Sequence, residues 1–518
     1  AYEIRNCDWS SDVCSSDLEV KGGIVIPKVF SFIEHLKRNS TLLSLNMANC
    51  QLDDKVGERF IELVDVNQDL IDFEFGFNKF KLDQIRALQD KPADKLLSGL
   101  RLRAMASAAK QAAPGSAAYK TAVKDYVARD LAAAPFEVIA NDVRELKASA
   151  ELIGEALVLG RVREVLQPMA ARTGELSSDF APALVNARFG LVGVLPLKQE
   201  STEAFTTYLD AHRVQKQDIW AARDVVLEPG HRRAPVRVAI WDSGVDVALF
   251  RAQTLRDGKG RPLFIAYDKF SRPSQSLLAP LTPEVQPRLA QLLSYTKGFS
   301  DLQSNIDSPE AAQVKQMLSQ LAPADYKQRV EELGMMGNYE HGTHVTGIAL
   351  AGNPYAKLVV GRLEFDYHLQ PDPCPTREGA ERDAKAARDT VAFFRRHQVR
   401  VVNMSWGGDV RSIEGALEQC GLGKTPEDRK ATAREYFEIS RKALTQAFAG
   451  APEILFVAAA GNSNNDPNFV EDLPAAIELP NVLTVGAVDL AGDEASLDRK
   501  STRLNSSHSS VSRMPSSA

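Results

Sequence analysis

Cysteine is scarce in this chain, five in 518 residues, and two of them, Cys7 and Cys14, lie close to the amino terminus. The other three, Cys50, Cys374 and Cys420, follow no spacing pattern, which describes neither a disulfide framework nor a zinc site. No apolar run reaches the roughly 18 residues that a membrane-crossing helix needs, so no membrane span is expected. An excess of one charge is missing too. The formal net charge is −6 with Lys and Arg dispersed, which gives no basic footprint for nucleic acid. What remains is a 44% hydrophobic chain with the length of about three globular domains at ~150 residues each.

The two ends share a peculiarity. Ala1–Leu18 and Asp498–Ala518 resemble readings of opposite strands of one sequencing-library adapter, for Asp8–Asp17 can be encoded by the reverse complement of a stretch encoding Asp498–His508. A Ser-rich disordered tail has a similar composition but no such strand relation. Residues 19–497 are therefore read as the biological segment, and the flanks are set aside as expression scars are. That reading also removes the stretch in which a signal peptide would be recognised.

Residues 19–91 contain an internal repeat. Leu42-x-x-Leu45-x-Met47-x-x-Cys50-x-Leu52 returns as Leu70-x-x-Phe73-x-Phe75-x-x-Asn78-x-Phe80, a shift of 28 residues, and Phe32, Ile33 and Asn39 return as Phe60, Ile61 and Asn67. This pattern resembles the leucine-rich repeat, in which a short strand and a helix stack on their neighbours and about three units are needed for stability. The segment reads as the end of a longer array or as a piece of another gene. The resemblance implies a protein partner, and a structural cap fits as well.

Residues 92–229 turn to Ala, Leu, Lys, Arg and Glu with apolar positions at helical spacing. Pro114, Gly115, Pro135 and Pro168 are expected breaks between amphipathic helices, and the region fits a spacer or a prodomain. Beyond residue 230 the texture changes. Apolar runs (VRVAI, KLVVGRL, VRVVNMSW, EILFVAAAG, NVLTVGAV) alternate with helical stretches such as GAERDAKAARDTVAFFRRH. Continuous apolar strands between helices indicate a parallel sheet covered on both faces, so residues 230–497 are expected to be a doubly wound α/β domain.

In such sheets ligands bind beyond the carboxyl ends of the strands, and the polar blocks of this chain sit there. VRVAIW runs into Asp242, VVNMS into Trp406 and Gly407, and LFVAAA into Gly461 and Asn462. Activation of a hydroxyl nucleophile needs a general base, an acid group that fixes the tautomer of that base, and donors for the developing oxyanion. His341, whose ordinary pKa of about 6.5 suits proton transfer near neutrality, can be the base. Asp242 can orient it, and the Asn462 amide can donate to the oxyanion. A zinc reading of His341 and His344 lacks the HExxH pattern; His344 is expected to be a packed structural histidine.

Taken in order, VAIWDSGVD, HGTHVTG, VVNMSWGG and FVAAAGNS resemble the blocks of the subtilase family of serine peptidases. The resemblance covers about Val236 to Asp489, and HGTHVTG is its most specific part. It implies a catalytic pair Asp242 and His341, Asn462 in the oxyanion hole, and Ser405, Trp406 and Gly407 as the strand that pairs with an extended peptide substrate. It also implies that no cofactor is needed for the chemistry, that structural calcium is common although no ligand set can be named, and that secretion is the usual destination. Asp246 is a calcium ligand or a loop acid.

Two departures stand out. The spacing of 99 between Asp242 and His341 holds a helical insertion at about 282–333, read as surface decoration rather than a cover over the cleft. The G-T-S-x-A-x-P block that would carry the nucleophile is missing, since Ser463 and Ser496 lack that context. The expectation is a carboxyl-terminally truncated peptidase domain, inactive as it stands. The rival is a non-catalytic binding protein that uses its repeats on a degenerate scaffold.

Overall fold

A computed structural model of the chain describes residues 2–4, 33–34, 37, 42–46, 54–66, 72–74, 99–461 and 471–488, apart from 135, 175, 178–179, 214–216, 224, 231–232 and 304–305. The described residues fall into two compact units, one within Ala1–Glu151 and Pro196–Gln215, the other within Leu152–Leu195 and Lys216–Ser501. The division crosses the compositional boundary at residue 229, because residues 152–195 belong to the second unit.

In the first unit, β1 (Tyr2–Ile4), β2 (Leu42–Asn46) and β3 (Asp72–Glu74) form a parallel sheet in that order. Parallel neighbours need a crossover of a dozen residues or more, and the 13-residue helix Asp54–Val66 lies between β2 and β3. Ser44, Leu45 and Asn46 pair with Asp72, Phe73 and Glu74, so the register equals the 28-residue period of the sequence. The other strand positions of the repeat, Met47 to Leu52 and Phe75 to Phe80, lie outside the described residues. Of the two adapter-like ends, Tyr2–Ile4 is described as β1, and Asp498–Ala518 lies outside the described residues.

The helical part of this unit follows its apolar spacing. Tyr119, Val123, Val127 and Leu131 recur every fourth residue on the helix Ala117–Ala132 and are all buried. They meet Leu100, Ala104, Ala108 and Phe205 in one core. Ser116 caps that helix by accepting from the Tyr119 N–H at 3.2 Å. Pro114 and Gly115 fall in the break before it, with Gly115 at φ 84. Pro135 lies outside the described residues. Pro168, which belongs to the second unit, does not break its helix, contrary to expectation. Glu155–Arg161 and Gln167–Thr173 run on through a wide π turn at Val162–Leu166. That turn shifts the hydrogen-bond pairing where the proline, near the start of the following helix, has no N–H to give.

The second unit is built on six parallel strands. β4 (Val236–Asp242), β5 (Phe264–Ala266), β6 (Ala356–Arg362), β7 (Val401–Met404), β8 (Leu455–Ala459) and β9 (Val482–Val485) lie in the order β5-β6-β4-β7-β8-β9. The doubly wound α/β architecture expected from the apolar runs is therefore present. Successive side chains of a strand point to opposite faces, and each face has its own core. Ala239, Trp241 and Val359 pack with Phe394, Phe437 and Phe448 of the helices Arg377–Arg396 and Pro426–Ala449. Ile240, Leu358 and Val360 pack with Val345 and Leu350 of the helix Tyr326–Leu350.

The insertion is part of this packing. Its helices Leu289–Gln303 and Pro309–Gln320 cross so closely that a Cβ on Gly298 would lie 2.3 Å from the Glu310 carbonyl oxygen. Leu292 shares a core with Met335 and Met336 of the helix Tyr326–Leu350. Cysteine corrects the reading of the sequence: Cys374 and Cys420, which showed no framework spacing, are joined by a disulfide. A single bridge between loops 46 residues apart leaves no periodic signature, because tertiary folding alone brings the two loops together.

Candidate active site

Asp242 is the last residue of β4, where the strand order reverses from β6 on one side to β7 on the other. Alternation puts it on the face of Ile240, the face covered by the helix that carries His341. The two meet: His341 Nδ1 lies 2.7 Å from Asp242 Oδ1. The aspartate side chain is 1% exposed and the histidine 48%, so the pair has one end anchored in the protein and one open to solvent.

The neighbours fix this geometry. The Ser243 N–H and hydroxyl donate to the same Asp242 oxygen at 2.7 and 3.1 Å, while the Gly342 N–H donates to Ser243 Oγ at 3.2 Å. The hydroxyl of Ser243 thus ties the strand end to the helix. Gly342 has no room for a side chain, since a Cβ there would lie 2.3 Å from the Gly244 carbonyl oxygen and 3.2 Å from Asp242 Oδ1. Asp246, read as a calcium ligand or a loop acid, accepts from the Ala248 N–H at 3.0 Å and gives its own N–H to Thr343 Oγ1 at 2.9 Å. Among the described residues no three His, Cys, Asp or Glu side chains gather into a metal site.

The Asp242 carboxylate, by its hydrogen bond, holds the His341 imidazole above its ordinary pKa, with burial opposing and the charges of Asp242 and Glu340 adding. Glu340 is itself pushed up by burial, against a hydrogen bond from Thr296 of the insertion. With the Nδ1 proton given to Asp242, Nε2 keeps its lone pair on the open side, where it can take a proton from a hydroxyl. His344, expected to be packed, is exposed over much of its surface on the same helix, and the partial cover of its ring followed by the charge of His341 lowers its pKa.

Beyond β7, Ser405 Oγ accepts from Asn403 Nδ2 at 2.9 Å. The Trp406 indole N–H donates to the Trp241 carbonyl at 2.7 Å, with the two rings edge to face at 5.2 Å. Trp406 therefore locks the segment to β4. Gly407 stands against Asp472, whose Oδ1 would lie 2.5 Å from a Cβ there. Asn462 and Ser463 lie outside the described residues, as does Ser496, so the oxyanion reading of Asn462 is not met by any structural observation. Beside Ser243 a cleft opens, walled by Leu281, Met335, Leu363, Phe365 and Tyr367.

Two residues of this region escaped the reading of the sequence. Ser243 stood in plain sight inside DSG, and its link to Gly342 depends on a contact across 99 residues. Asp472 carried no signal at all. It is one acid among several in a loop, and only the fold brings it to Gly407 and Gly461.

The model of the subtilase family matches residues 234–513, more than half of the chain. Among solved structures, the chain is similar to the PatG macrocyclase domain at 15% identity and a TM-score of 0.29, over 55% of this chain and 68% of that one. It is also similar to a lanthipeptide protease at 15% identity and a TM-score of 0.24, over 51% of each chain. No curated protein matches.

Proposed function

The chain belongs to the subtilase family, and from that premise we propose that its α/β domain is a serine endopeptidase domain in which Asp242 and His341 form two thirds of the catalytic triad. The observation that supports this most is the 2.7 Å contact between His341 Nδ1 and Asp242 Oδ1 at the carboxyl end of the central strand. In the complete reaction His341 takes the proton of a serine hydroxyl as that oxygen attacks the peptide carbonyl. It then returns the proton to the leaving amine, and a water repeats the cycle to free the acyl group. Asn462 donates to the oxyanion, and Ser405, Trp406 and Gly407 offer backbone to an extended peptide.

The 518-residue polypeptide carries no G-T-S-x-A-x-P block, and we read it as unable to form the acyl-enzyme. A fluorophosphonate probe, which reacts with a serine activated by a neighbouring base, should leave it unlabelled. Labelling that disappears in His341→Ala would show that another serine serves, and would overturn this reading. The pairing of β2 with β3 one period apart favours, as a second activity of the same chain, protein binding through leucine-rich repeats.

A further inference from the structure

The candidate site lies at the carboxyl ends of the strands, and the opposite edge of the same sheet is lined with cations. Lys357 of β6 is level with Arg237 of β4. The N–H of Arg400, just before β7, donates to the Arg237 carbonyl at 2.9 Å, and the Arg400 carbonyl accepts from the N–H of Leu455, the first residue of β8, at 2.9 Å. Neighbouring strands run about 4.8 Å apart, so three cations stand in a row along this edge. The end of the helix Arg377–Arg396 reaches it too, with Arg395 and Arg396 in its last turn.

Carboxylates do not match these charges. Among the described residues the three side chains meet only carbonyl oxygens: Lys357 Nζ that of Ala252 at 3.0 Å, Arg237 Nη1 that of His397 at 2.7 Å, and Arg400 Nη1 that of Glu453 at 3.5 Å. The Glu453 carboxylate is held by Arg395 at 2.8 Å. Burial, then the charges of Arg396 and Arg237, keep the His397 imidazole below its ordinary pKa, as a positive neighbourhood requires. The net charge of −6 belongs to the whole chain; the fold gathers cations from separate stretches onto one edge.

Exposed apolar side chains flank the row. Val225 and Val226 are 73% and 71% exposed, on a stretch held in place by the Leu227 N–H, which donates to the Gly352 carbonyl at 2.7 Å. Val236, whose N–H donates to the Tyr355 carbonyl at 3.1 Å, and Leu455 are exposed as well. Cations attract the headgroups of an anionic leaflet, and apolar side chains beside them enter the headgroup layer. Single-stranded nucleic acid is held by aromatic platforms, whereas this row is flanked by valine and leucine.

We propose that the amino-terminal edge of the sheet, with Lys357, Arg237 and Arg400 beside Val225 and Val226, docks the protein on an anionic lipid surface. Asp242 ends the strand that Val236 begins, so the docked domain keeps the candidate site away from the lipid. The inference does not depend on the peptidase reading.

Sedimentation of the intact 518-residue chain with vesicles tests it. The chain should pellet with phosphatidylcholine vesicles that carry about 30% phosphatidylserine and stay in solution with phosphatidylcholine alone, and raising the salt from about 0.1 M to 0.5 M should release it. Arg237→Gln, Lys357→Gln and Arg400→Gln together should weaken vesicle binding at least about tenfold. A second variant leaves every charge in place: Val225→Ser with Val226→Ser should weaken vesicle binding and leave retention on heparin unchanged. Equal pelleting with both vesicle types, no pelleting with either, or a folded charge variant that binds like the native chain overturns the proposal. Vesicle binding that the valine variant retains in full assigns the edge to polyanions in general and overturns it as well.

Discussion

At the scale of the residue, the site depends on one carboxylate oxygen that serves three donors. Asp242 Oδ1 accepts from His341 and twice from Ser243, and the hydrogen bond to His341 is the main reason the imidazole titrates above its ordinary value. The sign of the linkage follows. A histidine whose folded pKa exceeds its unfolded value of about 6.5 adds stability that is full below that pH and is lost as pH rises through the folded value. The midpoint of His341, followed by NMR, should lie above 6.5. In Asp242→Asn it should fall, because burial then acts without the charged acceptor that offsets it. An unchanged midpoint in that variant would mean that the contact does not govern the base.

At the scale of the element, the pair holds because a helix and a strand end approach without a side chain between them. Alanine is the better helix former by about 1 kcal/mol, and in an isolated helix Gly342→Ala would stabilise. Here the added methyl meets the Gly244 carbonyl oxygen, so a net loss of about 1–3 kcal/mol is expected. The His341 midpoint should fall with it as the helix shifts from the strand. Denaturant melts and the same NMR titration measure both effects. The Cys374–Cys420 bridge ties the loop before the helix Arg377–Arg396 to the end of the helix Val410–Gln419. Closing a loop of 46 residues restricts the unfolded chain, and Cys374→Ser with Cys420→Ser should cost about 2–4 kcal/mol of stability in urea titrations.

At the scale of the whole molecule, chemistry needs groups from distant stretches of chain to meet at one edge of one sheet. In subtilisin, loss of the serine alone lowers turnover about 10⁶-fold, and a comparable loss is expected for the 518-residue polypeptide even with Asp242 and His341 in contact. The insertion belongs to this scale too. Its helix Leu289–Gln303 shares a core with the helix Tyr326–Leu350 that carries His341, so the insertion acts on the surroundings of that histidine.

The sequence by itself determined the sheet and singled out Asp242 and His341, which the fold brings into contact. Apolar runs too continuous to be half-exposed had to be strands covered on both faces, and five of the six strands of the second unit stand where those runs predicted; β5, only three residues long, left no run to read. HGTHVTG and DSG located His341 and Asp242 because their chemistry is written in local motifs. The offset between β2 and β3 equals the 28-residue period. What had no local signature was decided by the tertiary structure alone: the bond of Ser243 to Gly342, the pairing of Cys374 with Cys420, the continuous helix through Pro168, and the place of Asp472 between Gly407 and Gly461. Apart from that helix, each is a contact between residues whose partners lie far away in the chain. Periodicity records which face of an element is buried, whereas the partner across a cleft is set by the path of the whole chain.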